Sequence, residues 1–228
     1  GPVVGITVYG DSPLADLANL ALVVEKGQEQ SVVQTRSFTG MYVAATAFSL
    51  LAGGQEESFR SMHRLPEIGA RLIADHEALA RNFGEDLRFD RYYFLGSGAR
   101  YGLACEASLK LKEMSLSHSE PFHFLEFRHG PMSMVNESTV LVGLLSGSSS
   151  PHERAVLEEM QTRGATILAL AEANADIAFH SGLPEAVQGA LYLPVLQLMA
   201  FYRSLKKGLN PDSPHHLEAV VVLQELPV

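Results

Sequence analysis

Apolar and polar positions follow two rhythms along this chain, and each predicts an element. Short unbroken apolar runs bounded by turn residues read as strands buried on both faces. Val3 to Tyr9 is the first, ended by Gly10-Asp11-Ser12-Pro13. Leu20 to Val24, Tyr92 to Leu95, Val140 to Leu145 and Ala165 to Ala171 follow, with shorter runs at Leu191 to Leu193 and Val220 to Leu223. Between them the period lengthens to that of a helix. Ser12-Pro13 opens a short helical turn with proline at its first position. From about Ser37 to Leu51 the chain is apolar on most sides, which predicts a buried helix ended by Gly53-Gly54. Glu56 to Phe83 predicts one or two amphipathic helices interrupted near Pro66. Pro151 to Arg163 and Pro194 to Lys207 predict two more, the last stopped by Gly208. Strands alternating with helices imply an α/β fold on parallel sheets.

The richest stretch runs from Tyr101 to Met134. Leu103, Ala107, Leu111 and Met114 recur at helical spacing as one apolar stripe. Glu106, Lys110, Glu113 and Ser117 form a second, polar stripe, and it is narrow, with Ala104, Cys105, Leu109 and Leu116 on its flanks. Charges held among small and apolar neighbours are costly unless paired or used. Glu120, His123, Glu126 and His129 follow, ending at Gly130-Pro131. Carboxylates and imidazoles so close in sequence are the parts needed to move protons. Ahead of the stretch, Gly96-Ser97-Gly98 joins a strand to a helix. It is either a tight turn needing positive φ or a ring of backbone N–H groups around an anion.

Composition narrows the partners. The 228 residues suffice for one large domain or two smaller ones, and 46% hydrophobic content supplies a core. The formal net charge of −9 at pH 7 argues against a nucleic-acid backbone. No apolar run reaches the length of about 18 residues that a membrane helix needs. Gly1 leads at once into VVGITVYG, with no signal peptide, and a lone Cys105 fits the reducing cytoplasm, where we expect it as a small buried core residue. No metal is expected. His118, His123 and His129 stand five and six apart, so no pair shares a helix face as H-E-x-x-H zinc ligands do.

Three groups of residues resemble the sugar isomerase (SIS) domains, in particular the isomerase part of glucosamine-fructose-6-phosphate aminotransferase and its deaminase and ketose/aldose isomerase relatives. They are Phe94-Leu95-Gly96-Ser97-Gly98, the helix Glu106 to Glu113, and Glu126-Phe127-Arg128-His129-Gly130-Pro131. Thr35 to Thr39 and Asn210 to Pro214 match further family segments in the expected order. The resemblance implies two SIS-type, flavodoxin-like lobes with doubly wound parallel sheets. Residues 1–84 would be the C-terminal part of the first lobe with its linking helices, that lobe being truncated at its N-terminus, and 85–228 the second lobe with a tail.

It also implies a phosphosugar substrate, no cofactor and a homodimer with a shared active site. Glu113 matches the family's catalytic glutamate, which shifts a proton between C1 and C2 through an enediol. His129 matches the histidine that assists ring opening from the neighbouring subunit. Val32, Gln34 and Thr35 fall where relatives contact the sugar, with Lys110 and Glu106 orienting or neutralising Glu113. The bland reading of Glu113 is a plain ion pair with Lys110 or Lys112. The chain departs from the aminotransferase at Ala219, where that enzyme has a Schiff-base lysine, and Glu218 is no substitute. The reading is therefore an isomerase or deaminase of a hexose or hexosamine 6-phosphate, the alternative being a non-catalytic phosphosugar sensor on the same fold. His215 and His216 are further candidates for substrate contact.

Overall fold

The computed structural model describes residues 1–147 and 150–218. The chain starts with β1 (Val4–Thr7), α1 (Pro13–Leu17) and β2 (Leu20–Val23), then α2 (Arg36–Ala52), α3 (Glu56–Ser61) and α4 (Leu65–Glu85). A second alternation follows: β3 (Arg91–Gly96), α5 (Ala99–Ser115), β4 (His118–Phe122), α6 (Phe124–Phe127), β5 (Thr139–Leu144), α7 (Ser150–Thr162), β6 (Thr166–Ala171), β7 (Ile177–Ala178) and α8 (Leu193–Lys206). β1 and β2 form a two-stranded parallel sheet, and the other strands a five-stranded one in the order β4-β3-β5-β6-β7, every pair parallel.

The predicted α/β class with parallel sheets is what the chain adopts. Successive side chains of a strand point to opposite faces. Tyr92 and Phe94 of β3 therefore join Leu103, Leu111, Val142 and Met199 in one apolar cluster. Tyr93 and Leu95 join Phe127, Leu141, Val156 and Met160 in the other. Helices cover both faces, which is why β3 and β5 are apolar after their first residue. Ser12 caps α1, its Oγ accepting from the Ala15 amide at 3.3 Å, and Pro13 begins the helix as expected. Pro66 lies in the first turn of α4 and separates it from α3.

α4 and α8 cross closely at Gly84, where a Cβ would stand 2.5 Å from the Met199 carbonyl oxygen. Beside that crossing, the buried guanidinium of Arg203 donates to the carbonyls of Gly84, Asp86 and Phe89 and to Ser117 Oγ. It also lies 4.9 Å from the centre of the Tyr92 ring.

Several expectations need correction. β1 is not buried on both faces: Val3 and Val4 are exposed, and among the described residues its one partner strand is β2. α2 is not a buried helix. Only Ser37 and Leu50 are buried, since the narrow β1–β2 sheet and the turn at 25–27 give it little to pack on. Leu191 to Leu193 is no strand. Residues Gln188–Tyr192 make a 3-10 turn that leads into α8. The strands β4 and β7 escaped the pattern. β4 is polar and contains Pro121, which suits its place at the sheet edge. β7 has only two residues. Ser117 does not share the polar face of α5, because the helix ends at Ser115 and Leu116 turns left-handed at φ 49°. Cys105 is half-buried rather than a core residue. Val220 to Leu223 and Ala219 lie outside the described residues.

Candidate functional site

α5 carries the charged cluster. Positions 106, 110 and 113 fall on one helical face. Lys110 Nζ stands 2.6 Å from Glu113 Oε2 and 3.6 Å from Glu106 Oε1. The side chains of Lys110 and Glu106 are 5% and 6% exposed, that of Glu113 23%. Glu106 Oε1 is buried with no hydrogen-bond partner. Burial drives the Glu106 carboxyl up to about 7; Lys110 opposes the shift and the Glu113 charge adds to it. The structure thus joins three of the expected residues. The plain ion pair of Glu113 with Lys110 is present, and one Glu113 oxygen is left over on a partly open side chain. The stripe of Leu103, Ala107, Leu111 and Met114 is buried behind it.

A cavity of about 1150 Å³ opens between the N-terminal unit and the five-stranded one, lined among others by Glu29, Val33, Thr35, Met114, Gln197 and Asp212. Thr35 is the expected sugar contact that reaches it. Val32 is half-buried and donates its N–H to the Asp212 carbonyl at 3.2 Å; Gln34 is exposed, and neither lines the cavity. Glu113 is not part of the lining either, although its neighbour Met114 is. His129 is exposed on the turn after α6, and among the described residues its imidazole has no hydrogen bond or ion pair. His215 and His216 are exposed as well.

The segment that shapes the cavity is held by a residue the sequence reading missed. The Glu29 carboxylate accepts from the amides of Thr35, Arg36 and Ser37 at 2.9, 3.2 and 2.9 Å, and from Thr35 Oγ1 and Ser37 Oγ at 3.1 and 2.6 Å. α2 has no capping side chain at its own N-cap, so Glu29 takes that task from outside. The available signal was only a carboxylate, one of two in the polar loop Glu25 to Ser31, a few residues ahead of the helix start. Burial pushes the Glu29 carboxyl up, but the bonds from Ser37, Arg36 and Thr35 together outweigh it and hold it below the ordinary 4.5. A depressed folded-state value means stabilisation that is full above the ordinary value and lost as pH falls through the lower one. Glu29→Gln should therefore cost about 1–2 kcal/mol at neutral pH and flatten the acid limb of stability, read by denaturant melts across pH.

At the second sheet, ligands would enter where the strand order reverses, between β3 and β5. There the chain supplies its own anion. Glu185 pairs with Arg100 and accepts the Gly147 amide at 3.1 Å, which leaves only about 150 Å³ of space. Gly96-Ser97-Gly98 is a tight turn: Gly98 has φ +57°, and a Cβ on Gly96 would meet the Arg100 carbonyl at 2.4 Å. Of the Ser146 to Ser150 loop, Ser148 and Ser149 lie outside the described residues.

Among the described residues no group of three or more His, Cys, Asp or Glu side chains is arranged to hold a metal ion. His118 pairs with Glu120 at 3.4 Å, and His123 stacks on Tyr101 at 4.0 Å. No helix among them is long and apolar enough to cross a membrane.

Comparison with known proteins agrees with this architecture. The chain is 29% identical over 229 residues to the glutamine–fructose-6-phosphate aminotransferase [isomerizing] of Sulfurisphaera tokodaii, covering 97% of itself and 38% of that protein. It is 31% identical over 230 residues to that of Sulfolobus acidocaldarius, again covering 97% of itself and 38% of the relative. The chain therefore spans well under half the length of these relatives. Among solved structures, glucosamine-6-phosphate deaminase from Thermotoga maritima superposes with a TM-score of 0.77 at 29% identity, over 96% of this chain and 66% of that one. Tagatose-6-phosphate ketose/aldose isomerase from Escherichia coli shares the fold, with a TM-score of 0.76 at 21% identity over 98% of this chain and 64% of that one. The sequence profile of the SIS domain matches residues 88–205, from the loop before β3 into the last turn of α8. More than half of the chain lies within that match, and the chain belongs to the SIS domain family.

Proposed function

We propose that the protein isomerises or deaminates a hexose or hexosamine 6-phosphate, with Glu113 moving a proton between C1 and C2 through an enediol. The observation that carries this reading is the buried ammonium of Lys110 clamped to a carboxylate that stays partly open. A surface ion pair would leave the lysine head in water; here it is 5% exposed and fixes the direction of Glu113. A carboxylate so held can take a proton with its unpaired oxygen while Lys110 steadies the charge it loses and regains. The names of the relatives support the substrate class: each acts on a six-carbon sugar phosphate or its amino derivative.

In this reading Thr35 contacts the sugar from the first lobe, with Val32 and Gln34 beside it. Residues 85–228 form the second lobe, and the working unit is a cytoplasmic homodimer. The exposed imidazole then acts across the dimer, so that ring opening at Glu113 is assisted by His129 of the partner subunit. The test is deuterium incorporation in D2O at C1 of fructose 6-phosphate and at C2 of its 2-amino aldose counterpart, for the protein and for Glu113→Gln. Equal exchange in both sinks the proposal. Sugar binding without exchange in either would identify the non-catalytic sensor.

A further inference from the structure

We propose that Glu106 is a positioning residue that sets the basicity of Glu113 through the ammonium group the two share. The proposal rests on Glu113 being the base. Lys110 Nζ lies between the carboxylates, 3.6 Å from Glu106 and 2.6 Å from Glu113. Glu106 is shut from water, and its Oε1, beyond hydrogen-bond distance of the Lys110 ammonium, has no hydrogen-bond partner among the described residues. One ammonium cannot balance two carboxylates where water does not reach, so the cluster retains a proton that an open site would release. Glu106 is the place for it: it is the more buried of the two acids and the one farther from the cation.

The consequence for Glu113 follows from charge. With Glu106 protonated, Lys110 gives its whole charge to Glu113 and holds it as a weak base. With Glu106 ionised, Lys110 is divided between two anions and Glu113 gains basicity. Burial places the change near 7, where the reaction would run. Other charged groups are engaged elsewhere. From α8, Arg203 and Lys207 are bound at the C-terminal end of α5 by Ser117 and by the Ser115 and Leu116 carbonyls. On β4, His118 pairs with Glu120, and on β3, Arg91 pairs with Asp90. In the first turn of α5, Arg100 pairs with Glu185. The charges that act on Glu106 are Lys110 and Glu113.

The experiment is a carbon-13 NMR titration of the glutamate carboxyls in the full chain, from about pH 4 to about pH 9, with the exchange assay run alongside. The expected result is a Glu106 midpoint near 7 and an inflection of the Glu113 carboxyl at the same pH. In Glu106→Gln that inflection vanishes. The exchange rate should rise by up to about tenfold through neutrality in the unaltered protein, and stay flat in Glu106→Gln. Lys110→Met is the second arm: without the cation that opposes the shift, the Glu106 carboxyl titrates higher than before. A Glu106 midpoint near the ordinary 4.5, or a Glu113 inflection that survives Glu106→Gln, overturns the proposal. Failure of the underlying function reads differently, as exchange insensitive to Glu113→Gln whatever the titration shows.

Discussion

Glu113→Gln should lower C1–C2 proton exchange by about 10²–10⁴-fold, the span that a positioned general base contributes. The loss should fall on the rate far more than on sugar binding, because the amide keeps the shape of the side chain and loses only its basicity. The fold should persist. Glu113 is partly exposed, and Lys110 retains Glu106 as a counter-ion. The amide oxygen can still accept from Lys110, so no buried donor is stranded. Exchange followed by proton NMR, with calorimetric binding of fructose 6-phosphate, separates the two effects. A variant that binds and exchanges like the original would leave Glu113 as nothing more than the partner of Lys110.

Arg203→Met should destabilise the chain by about 4 kcal/mol, the sum of several bonds from a charged donor less what the apolar stem regains. Arg203 is buried and makes no ion pair among the described residues; its charge is met by the carbonyls of Gly84, Asp86 and Phe89 at 3.5, 3.1 and 2.6 Å and by Ser117 Oγ at 2.6 Å. Those carbonyls belong to the end of α4 and the turn into β3, which otherwise leaves helix-terminal oxygens without donors. Methionine fills the volume and leaves the oxygens dry. Arg203→Lys should recover only part of the loss, because an ammonium lacks the planar fork that reaches several acceptors at once. A denaturant midpoint shifted with an unchanged slope is the expected reading. A shift below about 1 kcal/mol would show that water enters and takes over these bonds.

Much of this architecture was legible in the residues. β3, β5 and β6 are apolar after their first residue and lie in the sheet interior, so local pattern and tertiary burial agree. β4 was illegible because an edge strand can be polar and tolerate Pro121. α2 misled for the opposite reason: its composition describes the surface it offers, and nothing in a linear pattern says how wide a sheet meets it. The cluster on α5 showed in the spacing of Glu106, Lys110 and Glu113. Its internal order did not, since the distances that place Lys110 nearer one acid than the other depend on packing of the apolar stripe beneath. Glu29 and Arg203 were hidden because both work on backbone groups of distant segments, a relation that spacing within one helix does not encode.

The two sheets differ in more than width. A pair of strands holds few of its amides between neighbours, whereas β3 and β5 have a partner on each side. Opening of β1 and β2 need not disturb the apolar clusters that close over the larger sheet, so among the described residues order can be lost in stages, the smaller sheet before the larger. The wall of the cavity that Glu29 organises belongs to the part that opens first. Entry of a bulky ligand would then require only a local, low-cost breathing of that wall, with the carboxylates of α5 kept in register by the half that stays closed.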